Sequence, residues 1–155
     1  SRSPAIDGGS PTLRMLKRVY MPDELREALP EADVVIVAAP LTPRSRGMFG
    51  AAEFSAMKPA AFFVNVSRGQ LVSTPDLVKT LAKGHLAGVG LDVTDPEPLP
   101  DGHPLRGFRN VIVTPHLAGL SDHNRQRGYG LIKANIARFI RRLPLVNVVD
   151  KRLGY

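Results

Sequence analysis

Arg68 follows the apolar run Ala61-Phe62-Phe63-Val64-Asn65-Val66, Glu97 stands in a proline-rich stretch after Leu86 to Val93, and His116 follows Asn110-Val111-Ile112-Val113-Thr114-Pro115. A guanidinium, a carboxylate and an imidazole arranged in this way could together reduce a carbonyl group. Hydride delivery to a carbonyl carbon builds negative charge on the oxygen, so an acid must supply a proton in step. Histidine, with an ordinary pKa of about 6.5, is suited to that near neutral pH. A carboxylate hydrogen-bonded to the ring favours its charged form, and the planar donors of an arginine can hold a substrate carboxylate. Singly, each residue has a plainer reading: a surface ion pair, a solvated loop carboxylate, a capped imidazole in a turn. Their joint placement after three successive apolar runs favours chemistry. His85, after a helix-stopping glycine, His103, in the proline-rich loop, and His123, at the start of a helix, are read as structural. No His or carboxylate pair has ligand-like spacing, so no metal is expected.

The elements that must position these residues follow from the pattern. Asp33 to Ala39, Ala61 to Val66, Leu86 to Val93 and Asn110 to Thr114 are apolar without alternation, as strands covered on both faces are. Between them, Met21 to Leu29 and Ala51 to Met57 read as short helices. A better-punctuated helix starts at Ser73 or Thr74 as cap, with Pro75 and Asp76 in its first turn, and stops at Gly84. Ser121 to Arg142 reads as a long amphipathic helix with Ile132, Ile136, Phe139 and Ile140 on one stripe. Gly128 and Gly130 weaken it and suggest a bend or a close contact. Residues 1–16 read as a loop, and Leu143 to Tyr155 as an extended tail. Buried strands alternating with helices predict an α/β, Rossmann-like, doubly wound parallel sheet. In such sheets ligands bind outside the carboxyl ends of the strands, where the three residues fall.

Composition narrows the class. The 155 residues are 43% hydrophobic and hold no Cys, which excludes a disordered chain and a disulfide scaffold. No apolar run is long enough to cross a membrane and no secretory leader is evident, so a cytoplasmic protein without a membrane partner is expected. Lys and Arg number 21 against 14 Asp and Glu, a net charge of +7. The basic residues are scattered apart from Arg125, Arg127, Lys133, Arg138, Arg141 and Arg142, which recur at helical intervals, so a solvated face is preferred to a nucleic-acid site.

Four ordered stretches resemble the D-isomer-specific 2-hydroxyacid dehydrogenases: Ala32-Asp33-Val34-Val35 through Pro40-Leu41-Thr42-Pro43; Phe63-Val64-Asn65-Val66-Ser67-Arg68-Gly69; Gly88-Val89-Gly90-Leu91-Asp92-Val93 with Pro96-Glu97-Pro98-Leu99-Pro100; and Asn110 through Pro115-His116-Leu117-Ala118-Gly119. The resemblance implies that Arg68 binds the substrate carboxylate, Glu97 supports the acid and His116 donates the proton. It implies that Asp92 contacts the nicotinamide carboxamide and that Pro40, Ser45, Val66, Ser67, Arg68, His116 and Gly119 line an NAD or NADP cofactor. Formate dehydrogenases of the family carry Gln at the position of Glu97, so the resemblance points to a reductase of 2-oxo acids such as glyoxylate or hydroxypyruvate, and to a homodimer in the full-length protein.

Two features depart from the family. Thr94 stands where the family has a bulky aromatic, and the fingerprint G-x-G-x-x-G is absent, since Gly88-Val89-Gly90 is followed by Val93. The expectation is therefore a chain whose residues 1–120 form the distal part of the cofactor domain and whose residues 121–155 return toward an absent substrate domain. Alone, it should be inactive. Aligned with the family, Arg2 falls beside the adenosine ribose, and its charge favours NADP over NAD. A competing reading is a nucleotide-sensing binding module of the same fold.

Overall fold

The computed structural model describes residues 16–152. Four strands, β1 (Val34–Val37), β2 (Phe62–Asn65), β3 (Gly88–Leu91) and β4 (Val111–Val113), lie side by side in chain order as one parallel sheet. Val34 pairs with Phe62, Phe62 with Gly88 and Val89 with Val111. Their carboxyl ends therefore lie along one edge, and the segments that follow them are neighbours in space although far apart in sequence. This is the Rossmann-like α/β arrangement that the alternation of strands and helices predicts.

The connections build the core on one face. α1 (Leu25–Ala28) lies between two short 3-10 turns, and α2 (Ala51–Ala56) and α3 (Thr74–Ala82) pack on each other. Phe54 of α2 and Leu77 and Leu81 of α3 join Phe63, Val89 and Leu91 of the strands in a single buried cluster. At its centre Phe49, Phe54 and Phe63 stack with ring centroids 5.0 to 6.1 Å apart in tilted and edge-on geometry, the arrangement that aromatic quadrupoles favour.

The other sheet face differs from expectation. Val34, Ile36, Phe62 and Ile112 are 50 to 70% exposed. A strand series in sequential order puts both of its crossover helices, α2 and α3, on the same side, and no described element lies over the outward side chains. Their apolar character marks a face made for a second layer.

Helix punctuation is largely as the residue types require. Ser73 is the N-cap of α3, but its hydroxyl donates to the Asp76 carboxylate at 2.8 Å instead of accepting a backbone N–H, and Gly84 takes a left-handed φ of +68° beyond the C-cap. α4 (Asn124–Ile140) is continuous, and Gly128 and Gly130 face open space, so the expected close contact at these glycines does not form. Nor does the predicted stripe face inward. Ile132, Ile136, Phe139 and Ile140 are 55 to 75% exposed, and the side turned toward protein carries Asn135 and Arg138. Asn135 brackets the backbone of Val146 through both amide atoms and Arg138 donates to the Pro144 carbonyl, so the tail folds back along the helix. No described helix is long and apolar enough to cross a membrane.

Candidate active site

The turn after β2 is held by the last residue of the strand. Asn65 is fully buried; its Oδ1 accepts from the Ser67 N–H at 3.1 Å and its Nδ2 donates to the Arg68 carbonyl at 2.9 Å. The Ser67 hydroxyl donates to the Ala39 carbonyl, which ties the turn to the end of β1. Arg68 is exposed, and its Nη1 donates back to the Ser67 carbonyl at 2.6 Å. Gly69 then passes so close to the next loop that a Cβ built on it would lie 2.0 Å from the Thr94 carbonyl oxygen, so only glycine fits. The Arg68 turn and the loop that carries Glu97 are therefore in backbone contact.

That loop is pinned along its length. Thr94 is buried, with its hydroxyl on the Pro96 carbonyl at 2.8 Å, and Thr74 donates to the Asp95 carbonyl at 2.9 Å. Arg106 reaches back to the carbonyls of Leu99 and Pro100, at 2.7 and 3.2 Å. The small Thr94 thus gives the loop a defined path where an aromatic side chain was the family expectation.

After β4 the chain turns sharply around Asp92. Its carboxylate accepts from the Thr114 hydroxyl at 2.6 Å and from the Leu117 and Ala118 N–H groups at 2.8 Å each, while its carbonyl accepts from the His116 N–H at 2.9 Å. The Thr114 hydroxyl, assisted by the two backbone donors and against the effect of desolvation, holds the Asp92 carboxyl below its ordinary pKa. His116 itself has φ +56°, a left-handed conformation costly for a residue with a Cβ. The turn imposes it, and the ring is thereby presented to Glu97, with Nδ1 2.7 Å from Oε1. An ionised carboxylate only accepts, so Nδ1 donates and Nε2 is left free for a ligand. The two side chains are 44% and 40% exposed, which keeps that nitrogen within reach of a small molecule.

The expected residues thus gather along the carboxyl edge, though not in one recess. Glu97 and His116 share a depression with Asp92, Thr94, Arg106 and Thr114, whereas Arg68 lines a neighbouring one with Pro40, Val66 and Ser67. Ser45 lines a third, where its hydroxyl donates to the Pro40 carbonyl at 2.7 Å and accepts from the Thr42 N–H. Gly119 is exposed just beyond the Asp92-bound turn. Arg2 lies outside the described residues. Of the histidines read as structural, His85 bonds the Met57 carbonyl and His103 caps a 3-10 turn. Among the described residues no cluster of ligating side chains could hold a metal.

Residues 10–118 match the family described as D-isomer specific 2-hydroxyacid dehydrogenase, NAD binding domain. The chain belongs to the D-isomer-specific 2-hydroxyacid dehydrogenases. Human glyoxylate reductase/hydroxypyruvate reductase is 41% identical over 109 residues, 70% of this chain and 33% of that protein. A glyoxylate reductase of Aeropyrum pernix is 36% identical over 129 residues, 83% of this chain and 38% of that protein. Among solved structures, a family member from Xanthobacter autotrophicus Py2 in complex with NADPH and MES has a TM-score of 0.80 at 39% identity, over 86% of this chain and 54% of that one. An NADPH-dependent glyoxylate/hydroxypyruvate reductase from Sinorhizobium meliloti also scores 0.80, at 36% identity over 90% of this chain and 47% of that one. The chain spans about half or less of the length of the curated relatives it matches.

The residues expected at the site stand out in the sequence of this chain, but their supports do not. Asn65 looked like one more position of a buried strand, and Arg106 like a surface charge. Gly69 carried no signal of the backbone contact that requires it. A polar residue within an otherwise apolar run is the one clue that points to Asn65.

Proposed function

We propose that this chain forms the catalytic edge of an NAD(P)H-dependent reductase of small 2-oxo acids, of the glyoxylate or hydroxypyruvate type. The observation that carries the proposal is the 2.7 Å contact of His116 Nδ1 with Glu97 at the carboxyl ends of β3 and β4, in a chain of this family. Arg68 holds the substrate carboxylate through guanidinium edges not engaged by Ser67. His116 gives the Nε2 proton to the carbonyl oxygen as that oxygen gains charge, and Glu97 fixes the orientation of the ring through Nδ1. The product is the D-2-hydroxy acid. His116 leaves the step neutral and is reprotonated from solvent.

The residues present suit the nicotinamide half of a dinucleotide. The recess between the ends of β1 and β2 is walled by Ala38, Pro40, Leu41 and Val66, which can face a flat ring, and Asp92 retains one of about four lone-pair directions for a carboxamide N–H. Pro40, Ser45, Val66, Ser67, Arg68, Asp92, His116 and Gly119 would line the cofactor, which when bound supplies the hydride. The pyrophosphate fingerprint G-x-G-x-x-G does not occur in the 155 residues. NADP is preferred to NAD on the charge of Arg2, and the solved relatives in complex with NADPH or NADP support that preference. Residues 1–120 would act as cofactor domain, residues 121–155 would lead to a substrate domain, and the exposed stripe of α4 suits a homodimer contact. A cytoplasmic location agrees with a substrate and cofactor of this kind.

The test uses protein expressed from its complete reading frame, with glyoxylate and NADPH or NADH. His116→Gln is expected to lower kcat by about 10²- to 10⁴-fold, far more than it changes cofactor affinity. An unaltered kcat would sink the proposal and favour a nucleotide-sensing module.

A further inference from the structure

We propose that Asn65, which touches neither substrate nor cofactor, is the positioning residue for the Arg68 guanidinium, an inference that rests on the proposed role of Arg68. Asn65 ends β2 opposite Leu91, with no exposed surface, where the inward pattern of the sheet calls for an aliphatic side chain. Burying an amide there is costly unless it is fully hydrogen-bonded. Both of its bonds go to the same turn, to the Ser67 N–H and the Arg68 carbonyl. A donor is needed at one end and an acceptor at the other, so only one orientation of the amide satisfies the turn.

The consequence reaches the guanidinium through the backbone. The amide holds the Val66–Ser67 and Arg68–Gly69 peptide groups, which flank the Ser67–Arg68 peptide on both sides, and the carbonyl of that middle peptide accepts from Arg68 Nη1 at 2.6 Å. The Gly69 contact with Thr94 closes the turn from the other side. The guanidinium thus hangs on a carbonyl whose two flanking peptides are both held by one buried side chain. Aspartate is nearly isosteric with asparagine and keeps the acceptor for Ser67, but when ionised it has no donor for the Arg68 carbonyl. When protonated it regains one, and burial favours that form.

The experiment compares Asn65→Asp, Arg68→Ala and the double variant in protein from the complete reading frame, with glyoxylate and NADPH. At pH 8, Asn65→Asp is expected to raise KM for glyoxylate about tenfold or more, with kcat and KM for NADPH within about threefold of wild type. At pH 5 the ratio of variant to wild-type KM should shrink below about threefold as the carboxyl regains its proton. In the double variant KM should rise no further than in Arg68→Ala alone. If Arg68→Ala raises KM while Asn65→Asp leaves it unchanged, the positioning role is wrong and the role of Arg68 stands. If Arg68→Ala has no effect, or wild type does not turn over glyoxylate, the proposed role of Arg68 falls and this inference with it. A matched loss of kcat, both KM values and thermal stability would mark Asn65 as a residue of the fold alone and overturn the inference. Should Asn65→Asp fail to fold, Asn65→Ser is judged by the same pH 8 criteria.

Discussion

Two turns on the carboxyl edge are held by different chemistry. At the end of β2 a neutral, buried amide, Asn65, grips the turn that carries Arg68, whereas after β3 a carboxylate, Asp92, grips the turn that carries His116. In both, the exposed side chain has a buried polar neighbour that works on the backbone. The difference lies in what can disturb them. The amide has one charge state, so the Arg68 turn should be indifferent to pH, while the Asp92 turn is tied to a titrating group. Between them lies Gly69 against Thr94, where the Arg68 turn meets the loop that carries Glu97 backbone to backbone.

That contact is where the comparison breaks most easily. Gly69→Ala would place a methyl 2.0 Å from a carbonyl oxygen that belongs to backbone and cannot swing away. The expected cost is about 3 kcal/mol, the upper end of the range for overpacking, read from chemical denaturation. The displaced Thr94–Asp95 segment should also carry Glu97 away from His116, so the Nδ1–H signal of His116 in ¹⁵N-edited NMR should vanish. Unchanged stability with an intact signal would mean that the Arg68 turn and the Glu97 loop are independent.

A smaller effect tests the His116 turn alone. Its φ of +56° is imposed by the hydrogen bonds to Asp92, and a residue without a Cβ adopts it freely. His116→Gly and His116→Ala both remove the ring, so their difference isolates the backbone. The glycine variant should be more stable than the alanine variant by about 1 kcal/mol in urea unfolding. Equal midpoints would show that the turn relaxes once the imidazole is gone.

These supports explain how much of the molecule could be read in advance. Strands and helices were legible because they depend on local period and punctuation: β1 to β4 fall inside their apolar runs, and α3 runs between Ser73 and Gly84. Arg68, Glu97 and His116 were legible because residues after strands of a parallel sheet share an edge. Contacts between segments 22 to 26 residues apart, such as Asp92 with Thr114, Leu117 and Ala118, leave no local pattern. The outward stripe of α4 misled for a related reason: a 3.6-residue period shows which face is apolar, not what stands opposite it.

The smallest expected effect is the pH dependence that distinguishes the two anchors. Asp92 has a folded-state pKa below its ordinary value near 3.8, through the Thr114 hydroxyl first and the two amides after it. A carboxyl depressed on folding stabilises the native state above its unfolded pKa, and that contribution is lost as pH falls through the folded value. The window therefore lies below about pH 4, and stability there should fall more steeply in wild type than in Asp92→Asn, whose amide does not titrate. Glu31, Glu53 and Asp76 are also depressed and contribute to both curves, so the difference between the proteins carries the information. Urea midpoints from pH 6 to pH 3 give that difference. Asn65→Ala is the matched control, since removing a neutral anchor should lower the whole curve without changing its acid slope. Parallel acid limbs for wild type and Asp92→Asn would show that the Asp92 carboxylate is no more favoured in the folded turn than in the open chain, and the contrast between a titrating and a non-titrating anchor would be lost.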